Sequence, residues 1–154
     1  MLVEEIMSRS VKSVRPEAKL LEVASLMCLY RFSGLPVVQG DDDLVGIIAE
    51  KDVLHKLFPT LDDLIGEGMA AVDLDAMMGQ YKNVMTLKVA DVMIRNPITV
   101  SPDMHILRAA TVMARNRFRR IPVADGGKLV GMVSLGDIHK AIFQANITST
   151  LMAV

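Results

Sequence analysis

Leu129-Val130-Gly131-Met132-Val133-Ser134-Leu135-Gly136-Asp137 reads as an apolar strand that stops at a serine and turns into a helix with an acid in its first turn. The chain carries a second version of it, Leu44-Val45-Gly46-Ile47-Ile48-Ala49-Glu50-Lys51-Asp52. Outward from these two stretches the likeness continues. A shift of 86 residues lays Val3, Met7, Arg9, Val14, Pro16, Leu21, Ala24, Met27, Arg31, Phe32, Pro36, Val37 and Gly40 on identical residues from Val89 to Gly126. With Asp41 omitted from the turn, 17 of 49 paired positions are identical, against about three expected at average composition. The chain is a duplication, and a repeat decides the fold before any local reading does.

Each repeat predicts the same elements. A short extended stretch, Val11 to Val14 or Pro97 to Val100, leads to Pro16-Glu17 or Pro102-Asp103, a pair suited to the first turn of a helix. In the helix, Leu20, Val23, Ala24 and Met27, or Ile106, Ala109, Ala110 and Met113, make one apolar face. Two strands follow, joined by Gly40-Asp41-Asp42-Asp43 in one repeat and by Asp125-Gly126-Gly127-Lys128 in the other, which is hairpin chemistry. A second helix opens near Glu50 and near Leu135. The expected fold is α/β (α+β): two β-α-β-β-α repeats packed sheet to sheet, with a helical insertion between them. The boundaries are 1–58 for the first repeat, 59–87 for the insertion, 88–146 for the second repeat and 147–154 for an apolar tail. One repeat of about 55 residues makes a marginal core, and two together make a sufficient one.

In the insertion, Thr60-Leu61-Asp62-Asp63 can cap a short helix, Gly66-Glu67-Gly68 breaks it, and Leu74, Met77, Met78, Tyr81 and Met85 can line one side of another. The methionines between Met69 and Met85 are expected to cover the chain's own core, with an adaptable partner surface as the alternative.

Bulk properties exclude several classes. The 154 residues are 51% hydrophobic with a net charge of -1, so the chain folds and has no global basic field for nucleic acid or an anionic membrane. The Arg115 to Arg120 cluster leaves nucleic-acid binding as a rival, recognisable by steep salt dependence. The single cysteine, Cys28, forbids an internal disulfide and sits in an apolar helical pattern that usually means core. With no membrane-spanning run, and with Glu4 and Glu5 against a signal peptide, the expected location is cytoplasmic. His55, His105 and His139 have no metal-ligand spacing, and no nucleophile motif is present. Neither an enzyme nor a metal protein is expected.

The ordered landmarks, a valine and methionine at the start, Val-x-Pro before the helix, Pro-Val in the middle strand and Leu-Val-Gly with an aspartate six residues on, occur twice and resemble the CBS (cystathionine beta-synthase) domain family. The resemblance covers nearly all of the chain except the insertion. It implies a pseudo-twofold-related pair of repeats forming a regulatory module without catalysis, also called a Bateman module, often assembled as a homodimer. Two clefts would take adenine nucleotides or adenosyl compounds and transmit occupancy to an enzyme or transporter. AMP, ADP or ATP are the expected ligands, with S-adenosylmethionine behind them, and no cofactor is required. The alternative is a ligand-free interaction or dimerisation module. Nucleotide binding is expected to bias the orientation of the two repeats or of two subunits, with the 59–87 insertion as a readout.

The second repeat carries the family's nucleotide signature whole. The Asp137 carboxylate can accept hydrogen bonds from both ribose hydroxyls, and the Ser134 hydroxyl can donate to a phosphate. Capping its own helix is the plain structural role open to Asp137. Arg119 and Arg120, which strand alternation sends to opposite faces if the strand begins that early, match positions that contact phosphates in similar modules. Ile98, Thr99, Val100, Ile121 and Pro122 match the positions that sandwich the base, although each is also an ordinary core residue. The first repeat offers a weaker second cleft at Ser13, Val14, Leu35, Pro36 and Asp52. There Ala49 replaces the serine, and Ser33 and Gly34 replace the arginines. Unequal clefts are therefore expected.

Overall fold

The computed structural model describes residues 1–57 and 73–152. In chain order the helices are α1 (Val3–Ile6), α2 (Leu20–Tyr30), α3 (Glu50–His55), α4 (Leu74–Gly79), α5 (Tyr81–Val84), α6 (Ile106–Asn116) and α7 (Leu135–Met152). The strands are β1 (Gly34–Gln39), β2 (Asp43–Ala49), β3 (Ile94–Arg95), β4 (Arg120–Asp125) and β5 (Lys128–Ser134). Helix, hairpin and helix thus follow one another twice, with antiparallel pairing, as the duplication requires.

Two compact units result, and each takes its opening segment from the other repeat. The first-repeat unit comprises Ser13–Gln39 and Val45–Asn96, and the second-repeat unit comprises Met1–Lys12, Gly40–Leu44 and the chain from Pro97 onward. In the second-repeat unit, α6 turns Ile106, Ala109 and Met113 inward at three- and four-residue spacing. They pack on Ile121, Val123 and Val133 of the β4-β5 hairpin, on Ile138 of α7, and on Val3 and Met7 of the opening segment. In the first-repeat unit, Leu20, Val23 and Met27 of α2 pack on Leu35, Val37 and Ile48 together with Val89 and Met93.

The exchange is made at equivalent backbone groups. Val3 N donates to Met104 O at 2.9 Å, Glu4 N to Pro102 O at 2.9 Å, and Ser8 and Met132 exchange both amide bonds. In the other unit, Val89 N donates to Ala18 O at 2.8 Å, Ala90 N to Pro16 O at 2.9 Å, and β3 pairs with β2 at Gly46 and Ile47. These bonds explain a departure from expectation. Pro16 and Pro102 do not open a helix; they sit in turns closed by Ala18 N to Arg15 O and Met104 N to Ser101 O, and α2 and α6 begin at Leu20 and Ile106. Continuing the helix backwards would have consumed the carbonyls that hold the opening segments.

The predicted first strands shrink to single parallel bridges, Val14 with Val37 and Val100 with Val123. Both hairpins turn at residues with positive φ, Gly40 and Asp42 in one and Gly126 and Gly127 in the other. The first turn joins the second-repeat unit, where Lys128 Nζ donates to Asp41 O at 2.7 Å and pairs with Asp43 Oδ1 at 3.1 Å. With both side chains about half exposed, that ion pair is a weak fastening.

Two expectations are corrected. Cys28 is exposed, because the core side of α2 is taken by Leu20, Val23 and Met27. Of the insertion methionines that the structure describes, only Met85 is buried in the core; Met77 is half-buried and Met78 is 72% exposed, on two short helices in place of one continuous face. The expected Thr60–Asp63 cap, the Gly66–Gly68 break and Met69 lie outside the described residues. The segment separated as a tail after residue 146 continues α7 as far as Met152.

Candidate functional site

In the second-repeat unit, β5 ends at Ser134 and α7 begins at Leu135, which makes Ser134 the N-cap and Asp137 the third helical residue. Ser134 N donates to Asp137 Oδ2 at 3.0 Å and Asp137 N donates to Ser134 Oγ at 3.0 Å. This is a reciprocal capping box, so the plain structural role of Asp137 is realised. It does not exhaust either group. A carboxylate accepts about four hydrogen bonds, and a hydroxyl that accepts one still has its proton to donate. Both side chains are half-buried, and the box holds each in one orientation at the helix mouth.

The surrounding residues are brought there by the sheet. Arg120 lies directly opposite Ser134 in the β4-β5 register, Pro122 opposite Met132, and Leu135 N donates to Arg119 O at 2.9 Å. The last bond fixes Arg119 beside the helix start through its backbone, a contact no side-chain pattern signals. Strand β4 starts at Arg120, so Arg119 stands just outside it and the alternation argument does not apply to the pair. Both guanidinium side chains belong to exposed residues. Val100 is tied alongside by Val100 N to Pro122 O at 3.1 Å and Ala124 N to Val100 O at 3.0 Å.

The apolar positions divide. Val100 (1% exposed) and Ile121 (0%) are spent on the core, and Pro122 is buried, whereas Ile98 is 45% exposed and Thr99 half-buried. Side-chain surface for a flat ligand is therefore offered by Ile98 and Thr99 and hardly by the other three.

The first-repeat unit keeps the frame and drops the polar contacts. Asp52 Oδ2 accepts from Ala49 N at 2.8 Å, Glu50 N donates to Ser33 O at 2.9 Å, and Val14 N donates to Pro36 O at 3.0 Å. Ala49 has no oxygen to return the bond to Asp52 N, so this is half a capping box. Val14, Leu35 and Pro36 are buried and Ser13 is exposed. Restoring the missing acceptor with Ala49→Ser is expected to raise stability by about 0.5–1.5 kcal/mol, read as a shift of the denaturant midpoint at unchanged slope. An unmoved midpoint would show that α3 needs no cap.

Among the described residues no cluster of His, Cys, Asp or Glu could hold a metal, and no helix is long and apolar enough to cross a membrane. His105, one of the three histidines, serves the fold instead, because its Nδ1 caps α6 by accepting from Leu107 N at 3.1 Å.

Comparison with known proteins bears on the family and the fold. The CBS domain family matches residues 3–59 and again 89–144. A protein of Methanocaldococcus jannaschii, MJ1426, is 36% identical over 154 aligned residues, spanning 92% of this chain and 91% of its own length. The inosine-5'-monophosphate dehydrogenase of the same organism is 30% identical over 138 residues, but these are 89% of this chain and only 23% of the enzyme. In fold, CBSX2 of Arabidopsis thaliana superposes with a TM-score of 0.75 at 24% identity, over 94% of this chain and 96% of that one. The structure of CBSX2 in complex with AMP superposes with a TM-score of 0.72 at 24% identity, over 94% and 98%. With the family matched once in each repeat and the fold matched over 94% of the chain, the chain belongs to the CBS domain family and carries its domain as a tandem pair.

Proposed function

We propose that this chain is a regulatory module that binds an adenine nucleotide at the Ser134–Asp137 corner of the second-repeat unit, and that it catalyses nothing itself. The observation that carries the reading is the capping box beside two arginines. One helix mouth presents a fixed carboxylate for ribose hydroxyls, a hydroxyl proton, and Arg119 and Arg120 for phosphate. Ile98 and Thr99 supply the surface for the base. CBSX2, alike in fold, has been captured with AMP, which makes AMP the first ligand to try, ahead of ADP, ATP and S-adenosylmethionine. The match to a small part of inosine-5'-monophosphate dehydrogenase suits a module attached to catalysis but not performing it.

The reading extends to a cytoplasmic homodimer that transmits occupancy to an enzyme or transporter. A ligand can shift a conformational equilibrium only by its differential affinity for the two states, so transmission requires two conformations that bind the nucleotide unequally. A second reading, a ligand-free interaction module, draws on the same capping box, since helix capping alone gives Ser134 and Asp137 a purpose.

Calorimetric titration with AMP separates the two readings when Asp137 is changed to asparagine. Asparagine keeps an oxygen for Ser134 N and loses the charge that ribose hydroxyls favour. Asp137→Asn is expected to weaken AMP binding by about 10- to 100-fold, the worth of one or two charged hydrogen bonds, while the melting temperature stays near that of the parent. Equal affinity in the two proteins would remove Asp137 from the site, and no heat from any of the four ligands would favour the interaction module.

A further inference from the structure

Helix α2 is apolar on two opposite sides. Leu20, Val23 and Met27 face the core. The outer side carries Leu21 (59% exposed), Ser25, Cys28 and Leu29 (77%), and Glu22 is the only charge in the helix. Among the described residues no large apolar side chain is more exposed than Leu29. Helix α3, packed beside α2, adds Leu54 at 45%. A surface helix ordinarily turns a charged side to water, and the equivalent helix of the second repeat does so. At the positions of Glu22 and Leu29, α6 has Arg108 and Arg115, both exposed, and it contains no carboxylate. The repeated architecture therefore does not require an apolar outer side, and the one on α2 belongs to the first repeat alone.

The outer side of α2 is also symmetric in sequence. Leu21 stands four residues before Ser25, and Leu29 four residues after it. The three make a ridge of four-residue steps, the kind that interdigitates with its own copy when two helices cross at about −50°. Ser25 is small, and its hydroxyl donates to Leu21 O at 2.7 Å, so a second helix can come close there without burying an unsatisfied donor. With two copies antiparallel about Ser25, Leu21 of one meets Leu29 of the other, and Glu22 of one lies toward Cys28 of the other and away from its own counterpart. The same crossing of two α6 helices would press each Arg115 onto Leu107 with no carboxylate to answer it. Leu21, Leu29 and Leu54 expose on the order of 300 Å² of apolar surface, close to the apolar share of the smallest stable interfaces, about 600 Å² per partner and a little over half apolar.

We propose that the outer side of α2, with Leu54 of α3, is the surface on which a second copy of this chain docks, α2 on α2, and that α6 makes no such contact with its own copy. The inference deepens the homodimer reading and rests on it. Because the contact is two-fold, it closes the assembly at two chains.

The test is the mass of the full chain in solution by analytical ultracentrifugation, for the parent and for Leu29→Arg, which gives α2 the residue that α6 carries. The parent is expected to have the mass of two chains. Leu29→Arg brings two guanidinium groups without partners into the contact and is expected to weaken it by about 100-fold or more, leaving the mass of one chain. Its helix content by circular dichroism is expected to stay that of the parent, since Leu29 lies outside the core. Cross-linking then locates the contact. Helices crossing about 8–10 Å apart, each with a Cα radius of about 2.3 Å, leave about 4–6 Å between Cα atoms at the crossing point, which a disulfide spans. In a Cys28→Ser background, Ser25→Cys is expected to link two chains under oxidised glutathione, and Thr111→Cys, at the equivalent place on α6, is expected not to. A two-chain mass that survives Leu29→Arg, or linkage through position 111 and not 25, overturns the α2 assignment and leaves the homodimer reading standing. A parent with the mass of one chain at the highest concentration that stays in solution overturns both.

Discussion

A chain lacking residues 1–12 is expected to lose the second repeat's fold while keeping the first's. Val3 is completely buried and Met7 9% exposed, both inside the core built around Ile106, Met113 and Ile121. The same segment closes backbone bonds to Pro102, Met104 and Met132. Removing one large buried side chain costs about 2–5 kcal/mol, and each lost backbone bond about 1 kcal/mol more. The total is a large part of the roughly 5–15 kcal/mol that holds an ordinary domain together. Among the described residues, none from 1–12 belongs to the first-repeat core, which takes its opening segment from Val89 to Met93. Hydrogen exchange reads this directly. Amides of Val123, Ala124 and Val133 should lose protection by about 1000-fold or more, while those of Val38 and Ile48 remain slow. Faster loss in residues 13–57 than in 97–146 would contradict the exchanged architecture.

The second large effect lies at Gly131. A Cβ built there would come within 2.8 Å of both Met7 Sδ and the Ser8 carbonyl oxygen, and at the equivalent Gly46 within 2.7 Å of Met93 Sδ and 2.9 Å of Ile94 O. The sulfur can swing away but the carbonyl cannot, since Ser8 O accepts from Met132 N in the ladder. Gly131→Ala is expected to cost about 2–3 kcal/mol as overpacking against backbone, measured by denaturant unfolding. Adding Met7→Ala should not rescue it, because Ser8 O stays and a cavity is added. Gly136→Ala is the control: its Cβ would meet only Ser134 Oγ, at 3.6 Å, and alanine suits a helix better than glycine. A Gly131→Ala protein within about 0.5 kcal/mol of its parent would mean that the opening segment is looser than its contacts indicate.

These contacts mark the boundary of what the sequence discloses. Apolar spacing located α2 and α6, and the glycine-bearing turns located both hairpins, because those signals are local and repeat with the period of the element. The exchange of opening segments was not legible. Val3 and Met7 have the same four-residue spacing as Val89 and Met93, and nothing in that spacing says which repeat's carbonyls will accept their amides. The expected helix starts at Pro16 and Pro102 failed for the same reason, since those carbonyls were reserved for a segment far away in sequence.

At the candidate site, the pairing of Ser134 with Asp137 was readable as strand, serine, helix and acid. That the pair spends one bond each way on capping is a fact of geometry. The sequence points to the Arg119 side chain, yet what fixes its place is its carbonyl, which accepts from Leu135 N. Cys28 misled because an apolar run in a helix does not say which of its sides faces the core. Ala49 and Gly34, by contrast, are legible in the sequence as departures of one repeat from the other, and it is the comparison of two copies within one chain that gives them meaning.

Whether the Ser134–Asp137 corner is a nucleotide site as well as a helix cap is decided most directly by a crystal structure of the chain grown with saturating AMP. Both ribose hydroxyls are expected within hydrogen-bonding distance of the Asp137 carboxylate, the phosphate against the Ser134 hydroxyl and at least one of Arg119 and Arg120, and the base over Ile98 and Thr99. AMP bound away from Asp137, or a corner with no nucleotide at a concentration that saturates the protein in solution, would contradict the nucleotide reading.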